Sequence, residues 1–486
     1  MSIRIDVQRS GFFKELSKEK QVEYFDLKRN KFLPCIDNVY YTCFLKNDWN
    51  DNKKIEPLIV ELGEQRKIVQ VKHENIDFFH GLQLTPYGFN VYKYCLSEPE
   101  LFDIFIIDYL PNIDTPRVLV QLRAYGLWVY GVEQMIIQSF EKVQDLFMDF
   151  VDDVDYFSEI DKCRENRIDY CFHTNAIKNP YKEFSDSKLE GHLKTIFDNY
   201  GIVGHVEKSN EADKQVKLIK DYVSFGRRSA NNVFVRIYNK GLEVCQLAYK
   251  SFFFEVWKHQ GLINAFDKYC YEYAYEKKDY DFIHKARLQF YIHYGTDPKV
   301  KKEFQAELDK DLPPLDYKVI ADKYLPEVTT VINVEFETKR RFYYYSDDFI
   351  DSHLKTKTEA PHQLRRIFKI IDNRGLFLDY LTSKTLSFVG TNGEYCDWWQ
   401  RLRTTKLDTI KNNDKLLRNY SKELDRNIVL KRAVNAVATS ALYSGLENFD
   451  LAADVTDLMS NINDNTIQSY RKNKAAKKQR LKNLLK

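Results

Sequence analysis

Hydrophobic and polar residues alternate in several segments between residues 100 and 300, most clearly in NNVFVRIYNK (231–240). Successive side chains of a strand point to opposite faces, so this segment predicts a strand with two different sides. The apolar side holds Val233, Val235 and Ile237. The other side holds Arg236, Tyr238 and Lys240, which places a phenol between two cations. The alternation therefore predicts one face for a core and one face for chemistry.

Three further segments alternate in the same way and are predicted to be strands: RVLVQLRAYGLWVYG (117–131), RIDYCFHTN (167–175) and ARLQFYIHYG (286–295). Their polar positions include Gln121, Arg123, Arg167, Asp169, Cys171, His173, Arg287, Gln289, Tyr291 and His293. A solvated antiparallel sheet would alternate as well, usually with Ser, Thr, Lys and Glu outside. Arg, Asp, His and Tyr are more typical of a working surface, and for any single strand both interpretations stay open.

Helical spacing dominates elsewhere in the chain. Apolar residues recur every three or four positions between residues 136 and 150, which predicts an amphipathic helix. Residues 252–285 are predicted to be mainly helical, and the charged segment 296–318, with its prolines, is typical of a linker. Beyond it the chain is predicted to be mostly helical, except for the alternating segment TTVINVEFETKRRFYYYS (329–346). The predicted fold class is α+β: an antiparallel sheet with flanking helices, followed by a mostly helical C-terminal domain.

Composition narrows the class of protein. The chain has 486 residues, of which 44% are hydrophobic and 30% charged, as expected for a globular protein of several units. Its net charge is only +3, so any nucleic-acid contact must come from local clusters of charge. The eight cysteines form no C-x-x-C pair, which favours free thiols in a reducing compartment. Without an apolar signal segment or a membrane-length apolar run, we expect a cytoplasmic protein that does not contact membranes.

The residues on the polar strand faces suggest phosphoryl chemistry. A phenol has a pKa of ~10 in water, and neighbouring cations favour its phenolate form. A divalent ion held by Asp169 and His173, with Gln289 or His293, would polarise a phosphodiester. Attack by Tyr238 would then leave a covalent phosphotyrosine. The plainer alternatives are that Asp169 pairs with Arg167, that His173 is structural, and that Tyr238 is an ordinary strand tyrosine.

Three stretches together resemble a known family: NRIDYCFHT, then SFGRRSANNVFVRIYNKGLE, then ARLQFYIHYG. They are similar to replication initiation factors of rolling-circle plasmids and filamentous phages, a family that includes relaxases of some conjugative transposons. That family shows R-I/L-D, then G-x-R-x-S with R-I/V-Y-D/N-K-x-x-E, then R-x-E. The resemblance covers about residues 100–300, and DWWQRLRTTK (397–406) is similar to a tryptophan–arginine stretch found further along in the family.

The resemblance implies a relaxase-like nicking domain over residues 76–300 that cuts and rejoins one DNA strand at an origin with Mg²⁺ or Mn²⁺. It makes Tyr238 the nicking tyrosine, Arg236 and Lys240 its cationic neighbours, and Asp169 the first metal carboxylate. Gln289 stands where the family has Glu, and an amide is a poorer ligand for a hard cation. His173, His293 or Glu255 would have to supply the missing ligand, or the site is weakened. The remaining predicted regions are a lead-in region at 1–75, a helical domain at 316–468 and a basic tail at 469–486.

Recognition of the origin, as double- and single-stranded DNA, requires further cations. We expect phosphate contacts from Arg123, Arg227, Arg228, Ser229 and Arg287, with Arg365, Arg366 and Lys369 as further candidates. Trp398 or Trp399 could stack on bases, or could be buried in a helical bundle. A host helicase and a homodimer are expected partners. The alternatives are a relaxase for conjugative transfer and a non-catalytic origin-binding protein with a degenerate metal site.

Overall fold

The computed structural model describes a defined part of the chain. The described residues are 30–43, 55–108, 116–150, 160, 163–177, 193–195, 200–207, 217–229, 231–247, 250–295, 297–344, 366–405, 433–434, 436–438, 440–441 and 450–460. The chain divides into two compact units, Met1–Arg418 and Asn419–Lys486. Arg365 and the predicted basic tail at 469–486 lie outside the described residues.

The first unit is built on one antiparallel sheet of eleven described strands, which differ in length. The strands are β1 (Phe32–Cys43), β2 (Ile76–Asp77), β3 (Gln83–Leu84), β4 (Tyr94–Glu98), β5 (Phe102–Ile106), β6 (Val118–Leu122), β7 (Arg164–Thr174), β9 (Tyr200–Glu207), β10 (Lys217–Phe225), β11 (Val233–Asn239) and β12 (Ile332–Lys339). Their spatial order in the sheet is β2-β3-β4-β5-β6-β1-β7-β12-β11-β10-β9. β8 (Leu193–Thr195) and β13 (Leu386–Phe388) form a separate antiparallel pair.

Helices cover both faces of the sheet. The described helices of this unit are α1 (Glu56–Lys72), α2 (Ala124–Val129), α3 (Val132–Met148), α4 (Lys240–Gln246), α5 (Phe252–His259), α6 (Ala265–Lys277), α7 (Phe282–Tyr294), α8 (Pro298–Leu308), α9 (Pro314–Asp322), α10 (Arg340–Tyr344), α11 (Ile367–Asp372), α12 (Arg374–Tyr380) and α13 (Asp397–Thr404). The structure therefore confirms the predicted α+β class, with an antiparallel sheet, flanking helices and a mostly helical region after β12.

The apolar face of the sheet carries the main core. Val233, Val235 and Ile237 of β11 point into it, as the alternation predicts, and each is at least 96% buried. Helix α3 packs on the same face through Ile136 and Phe140, which confirms the predicted amphipathic helix. Removing such side chains from water is the main favourable contribution to folding.

A second hydrophobic core lies within helices α4 to α9. It unites the predicted helical segment 252–285 with the segments 286–295 and 296–318, which are predicted as a strand and a linker. It contains Trp257, Phe266, Phe290 and Phe304 from four successive helices. Helix α8 lies within the segment 296–318 predicted as a linker, and helix α9 begins in it. That prediction is wrong, because Phe304 and Tyr317 are buried and hold both helices to the second core.

Two strand predictions need correction. Residues 286–295 are not a strand but belong to α7, in which Ile283, Ala286, Leu288 and Phe290 are all buried. A helix buried on most sides shows no clean helical period, so its residues can mimic an alternating strand. In the segment 117–131 only Val118–Leu122 is a strand, and α2 follows after Arg123.

The domain boundaries also change. β1 lies between β6 and β7 in the middle of the sheet, although residues 1–75 are predicted as a lead-in region separate from it. β12, placed by prediction in the C-terminal domain, pairs with β7 and β11. The sheet is therefore assembled from three distant parts of the chain.

The second unit is described only in part. It includes helix α14 (Leu451–Ser460), which starts after Asp450, and a buried Ala441. Among the described helices of the whole chain, none combines the length and the hydropathy that a membrane span requires.

Candidate active site

A cavity of about 800 Å³ opens over the polar face of the sheet. Its floor is formed by side chains of β1, β7, β11 and β12, the four adjacent central strands. Tyr238, Arg236, Lys240 and Asp169 all line it, so four of the predicted site residues share one cavity. The two segments that carry them are distant in sequence and lie near each other because β12 pairs with both β7 and β11.

The hydroxyl of Tyr238 lies at the centre of a polar cluster. It donates to Glu335 Oε2 at 3.0 Å, and Glu243 Oε2 is a second acceptor at 3.3 Å. It accepts hydrogen bonds from Asn333 Nδ2 at 3.1 Å and Lys240 Nζ at 3.3 Å. Tyr238 is only 8% exposed, and these four groups hold its hydroxyl in one position.

The electrostatics at this phenol differ from the sequence prediction. Burial raises the pKa of Tyr238 well above its ordinary value, and the carboxylates of Glu335 and Glu243 add to that effect. Lys240 and Arg236 act in the opposite direction but do not prevail. The expectation that cations would lower this pKa considered only the residues on β11 and omitted the two acids. In this state the side chain is a neutral phenol with proton acceptors beside it.

Asp169 is paired as the plainer alternative predicts. Arg167 Nε donates to Asp169 Oδ1 at 2.8 Å, and Arg167 Nη2 donates to Oδ2 at 2.6 Å. Burial nevertheless raises the pKa of Asp169 to about 6; Arg167 lowers it, and the acids Glu335 and Glu337 raise it further. Burial, with a smaller contribution from the two acids, therefore outweighs the effect of Arg167 on this carboxyl group.

The acids of β12 are the largest omission from the sequence prediction. Glu335 lies opposite Arg236 on β11, and the two side chains pair at 2.5 Å. Glu337 lies opposite Asp169 on β7 and contacts both Arg167 at 3.0 Å and Arg228 at 2.8 Å. Asn333, Glu335 and Glu337 share one strand face by the same alternation that identified Tyr238. The alternation of VINVEFETK (331–339) indicates this polar face, but the predicted domain boundary places the segment in the C-terminal domain instead of the sheet.

Two predicted metal ligands lie outside this site. Gln289 and His293 are on helix α7 rather than on a strand of the sheet, and neither lines the cavity. Glu255, the third candidate, is exposed on α5 and pairs with Lys268 at 2.8 Å. The prediction that these residues complete the metal site is wrong, because it rested on a strand over 286–295.

His173 lies on the predicted face of β7 but is fully buried under helix α5. Its Nδ1 accepts a hydrogen bond from the indole N–H of Trp257 at 3.0 Å. Among the described residues it forms, with Cys35 and Asp37, a trio whose ligand-capable atoms all lie within 4.8 Å of one another. Burial raises the pKa of the Cys35 thiol to about 12 and lowers the pKa of His173.

The trio does not have the chemistry of a metal site in this arrangement. Since Nδ1 of His173 accepts from Trp257, the ring proton of the neutral imidazole must be on Nε2, the nitrogen that faces Asp37. That protonated nitrogen cannot be a metal ligand. In addition, Lys240 Nζ lies 3.4 Å from Asp37 Oδ2 and already supplies a positive charge.

Two acids of the cavity carry oxygens of the kind that bind a hard divalent ion, and each is paired with an arginine in this structure: Asp169 with Arg167 and Glu335 with Arg236. Asp169 and Glu335 both line the cavity, and both offer carboxylate oxygens, which Mg²⁺ and Mn²⁺ prefer. The raised pKa of Asp169 reflects in part the repulsion from Glu335 that a cation would relieve. The role of Asp169 as a metal ligand stays a prediction, and Glu335 is a further acid of the cavity that the prediction did not include.

The predicted DNA contacts divide into accessible and buried residues. Arg123 lines the cavity and pairs with Asp103 through two hydrogen bonds of 2.9 and 2.7 Å. Arg227, Arg228 and Ser229 are exposed in the turn before β11. Arg287 is 1% exposed, donates to the Leu325 carbonyl and pairs with Asp322, so its predicted contact with DNA is wrong.

The tryptophans near the end of the first unit follow the alternative interpretation. Trp399 is fully buried, and its indole N–H donates to the Thr382 carbonyl at 2.8 Å. Trp398 packs against the ring of Phe388 with centroids 4.9 Å apart. Both side chains therefore serve the main core. Arg366 is the residue directly before helix α11, and Lys369 lies within that helix. The backbone of Arg366 forms an isolated β-bridge with Arg164.

Comparisons with known proteins give few matches. No protein-family model matches the chain, and no curated protein matches it. Among solved structures, the chain has a likeness to a rolling circle replication initiator protein from Geobacillus stearothermophilus. The identity is 10% and the TM-score 0.35, over 77% of this chain and 96% of the other.

Proposed function

We propose that this protein is a rolling-circle replication initiator that nicks one DNA strand at an origin through Tyr238 and transfers the cut end. The observation that carries the proposal is the hydroxyl of Tyr238 held by Lys240, Asn333, Glu243 and Glu335 in a cavity that also contains Asp169. A phenol with a proton acceptor, a cation and a carboxylate pair within reach is the set of groups that nucleophilic attack on phosphorus requires. The sequence motifs quoted above support the same activity.

The chain's own residues account for the steps around the nucleophile. Glu243 Oε2 accepts the phenolic proton, and because 29% of its side chain is exposed it can pass that proton to solvent. Although burial acts to raise the pKa of Glu243, Lys240 and Lys250 hold it below its usual value, so the acceptor is ionised at neutral pH. Lys240 and Asn333 donate to the resulting phenolate and stabilise its charge.

The transfer conserves bonds in a way that suits a reversible nick. The Tyr238 oxygen forms a bond to phosphorus while the bond from phosphorus to the 3′ oxygen breaks. The leaving 3′ oxygen takes a proton from solvent, which balances the phenolic proton that Glu243 passes to solvent. The product is a 5′-phosphotyrosine link and a free 3′-hydroxyl. Asp169 and Glu335 would hold Mg²⁺ or Mn²⁺, which supplies polarisation of the phosphate and neutralisation of its developing charge. Arg236 lies over the ring of Tyr238, 5.0 Å from its centroid, and adds a fixed positive charge.

Two alternatives share parts of this site. A conjugative relaxase would use the same nicking chemistry, so it remains an alternative within the same class. A non-catalytic origin-binding protein was motivated by the amide of Gln289, and that reason disappears because Gln289 belongs to helix α7. The helicase and homodimer predictions stay predictions.

The proposal is tested by adduct formation on DNA. Supercoiled plasmid carrying the DNA that flanks the coding sequence is incubated with the protein and Mn²⁺, then denatured in detergent. We expect a covalent protein–DNA adduct that Tyr238→Phe abolishes. Tyr170→Phe is the matched control, because Tyr170 is a buried tyrosine on the opposite face of the sheet whose hydroxyl contacts Tyr343. An adduct in Tyr238→Phe, or specific binding of this DNA without any adduct, would contradict the proposal.

A further inference from the structure

Lys240 is a buried cation with an unusual set of contacts. It is 3% exposed, and its Nζ lies 2.6 Å from Glu243 Oε2, 3.4 Å from Asp37 Oδ2 and 3.3 Å from Tyr238 Oη. A buried ammonium group is costly unless it is paired and hydrogen-bonded. Among the described residues, two carboxylates contact this ammonium group, and they differ in exposure: the side chain of Asp37 is 10% exposed and that of Glu243 is 29% exposed.

Asp37 reaches this position through an irregularity in β1. The register between β1 and β7 shifts between Ile36 and Asn38, so Asp37 is the extra residue of a bulge. A bulge bends the strand and redirects a side chain, and bulges are frequent beside active sites. Without it, the alternation of β1 would not leave Asp37 and Asn38 on the same side, yet both line the cavity.

The carboxylate of Asp37 is itself fixed by an aromatic enclosure. The indole N–H of Trp128 donates to Oδ1 at 2.8 Å, and the thiol of Cys35 donates to the same oxygen at 3.6 Å. The ring of His173 stacks on Trp128 with centroids 5.2 Å apart and places Nε2 3.7 Å from Oδ2. Although burial acts to raise the pKa of Asp37, Lys240 holds it well below its usual value, so the pair is ionic.

We propose that Asp37 is a positioning residue that holds Lys240 Nζ against the hydroxyl of Tyr238, and that Cys35 and His173 complete the enclosure of this carboxylate instead of binding a metal. This inference rests on the proposed function, in which Lys240 stabilises the phenolate. Glu243 is the more exposed of the two acids and contacts both Lys240 and the phenol. Asp37 adds a second, more buried carboxylate, so Nζ contacts two acids while it lies 3.3 Å from Tyr238 Oη.

The first experiment reads the phenol directly and needs no DNA. A single 3-fluorotyrosine at position 238 reports on the cation beside its oxygen through its ¹⁹F resonance. We expect Asp37→Asn, which keeps an acceptor for Trp128 but removes the charge, to shift this resonance in the same direction as Lys240→Met. In a Lys240→Met background Asp37→Asn should cause no further shift. Asp103→Asn, which removes a buried acid paired with Arg123 on the same face, is the control expected to leave the resonance unchanged.

The second experiment measures the rate of adduct formation on single-stranded origin DNA. Asp37→Asn should slow it by about tenfold to a hundredfold, the usual effect of removing a group that orients another active-site group. The Asp37→Asn, Lys240→Met double variant should be no slower than Lys240→Met alone, because Asp37 acts through Lys240. Additive losses, or an unchanged resonance in Asp37→Asn, would overturn the inference.

The third measurement decides between a lysine-holding enclosure and a metal site. Co²⁺ is titrated into the full chain while thiolate-to-cobalt absorption is followed, with Cys35→Ala and His173→Ala as comparison variants. We expect no such absorption at stoichiometric Co²⁺. A band that both variants abolish would overturn the inference. If the wild-type protein forms no adduct at all, the proposed function fails, while the ¹⁹F and cobalt measurements still decide the role of Asp37.

Discussion

Two tyrosines on opposite faces of the central sheet show what distinguishes its working side. Tyr170 of β7 and Tyr238 of β11 are both buried, and burial raises the pKa of each. The hydroxyl of Tyr170 lies 3.1 Å from the hydroxyl of Tyr343, within an apolar core. The hydroxyl of Tyr238 contacts two acids, one amide and one lysine. Burial is therefore common to both faces, and the set of charged partners is what differs.

The polar face collects more buried charge than stability alone would favour. Buried ion pairs seldom stabilise a protein more than well-packed apolar residues of the same size would. Asp37, Asp169, Glu335 and Glu337 nevertheless accumulate on this face together with Arg167, Arg236 and Lys240. On the apolar face, each strand position contributes to packing. Substitutions on the polar face should therefore mainly affect activity, and substitutions on the apolar face should mainly affect stability.

The largest expected effect is on the acids of the cavity. Glu335→Gln should slow adduct formation by about 10² to 10³-fold, as for loss of one group that stabilises charge in a transition state. Glu255→Gln is the matched control: it makes the same chemical change on α5, outside the cavity, and should leave the rate within about twofold. Equal losses in the two variants would contradict the assignment of Glu335 to the site.

For the free energy of unfolding, the larger effect should come from the apolar face of β11 and the smaller effect from its polar face. Ile237→Ala removes a fully buried side chain from the main core and should lower the free energy of unfolding by about 2–5 kcal/mol. Tyr238→Phe, its neighbour on the other face, should lower it by about 1 kcal/mol. Urea denaturation of both variants measures the difference. A larger loss for Tyr238→Phe would mean that the polar face is mainly structural.

A smaller effect concerns the pH dependence of metal binding. A carboxyl group must lose its proton to bind a cation, and the pKa of Asp169 is raised to about 6. The affinity for Mn²⁺ should therefore fall by up to about tenfold per pH unit below pH ~6 and level off above it. Calorimetric titration of Tyr238→Phe protein at several pH values measures this. Asp169→Asn should abolish the dependence; if it persists unchanged, another group is responsible.

The raised pKa of Asp169 also makes the free energy of unfolding depend on pH. Because the pKa of Asp169 lies above its usual value of 3.8, the folded state binds this proton more tightly than the unfolded chain does. The contribution to stability is present at low pH and is lost as the pH rises through about 6. Metal bound at neutral pH would offset that loss.

The smallest expected effect is at the turn before β11. Arg227 is exposed there and is predicted to contact phosphate, so Arg227→Ala should weaken binding of single-stranded DNA several-fold. The slope of log affinity against log salt should become shallower by about one. Lys67→Ala on α1, which removes an exposed cation paired with Glu64, serves as the control. Identical salt slopes in the two variants would exclude a phosphate contact by Arg227.

The contrast between the two faces also explains how far the sequence could lead. Alternation places Tyr238 and Arg236 on one side of β11 and Ile237 on the other, because strand geometry depends only on local spacing. Helix α3 was predictable for the same reason: its apolar stripe is one-sided. The distant groups around Tyr238 were not predictable in this way. Asn333 and Glu335, which bond to its hydroxyl, come from β12, and Asp37, which contacts Lys240, comes from β1. Local spacing does not reveal which strands are neighbours.

The errors have physical causes at particular residues. Helix α7 is buried on several sides, so Arg287, Gln289 and His293 seemed to alternate with apolar residues as in a strand. Arg287 then looked accessible, although it is fully buried against Leu325 and Asp322. The bulge at Asp37 leaves no mark in a single sequence, because one extra residue in a strand changes the facing of its neighbours without changing their composition.

The most direct test of the central claim is to locate the DNA on the protein. The adduct formed on single-stranded origin DNA is digested with nuclease and protease, and the modified peptide is sequenced by tandem mass spectrometry. The account predicts a nucleotide phosphate on Tyr238. A phosphate on another tyrosine, such as Tyr40 beside Arg167 or Tyr222 opposite Tyr238 in the sheet, would contradict it.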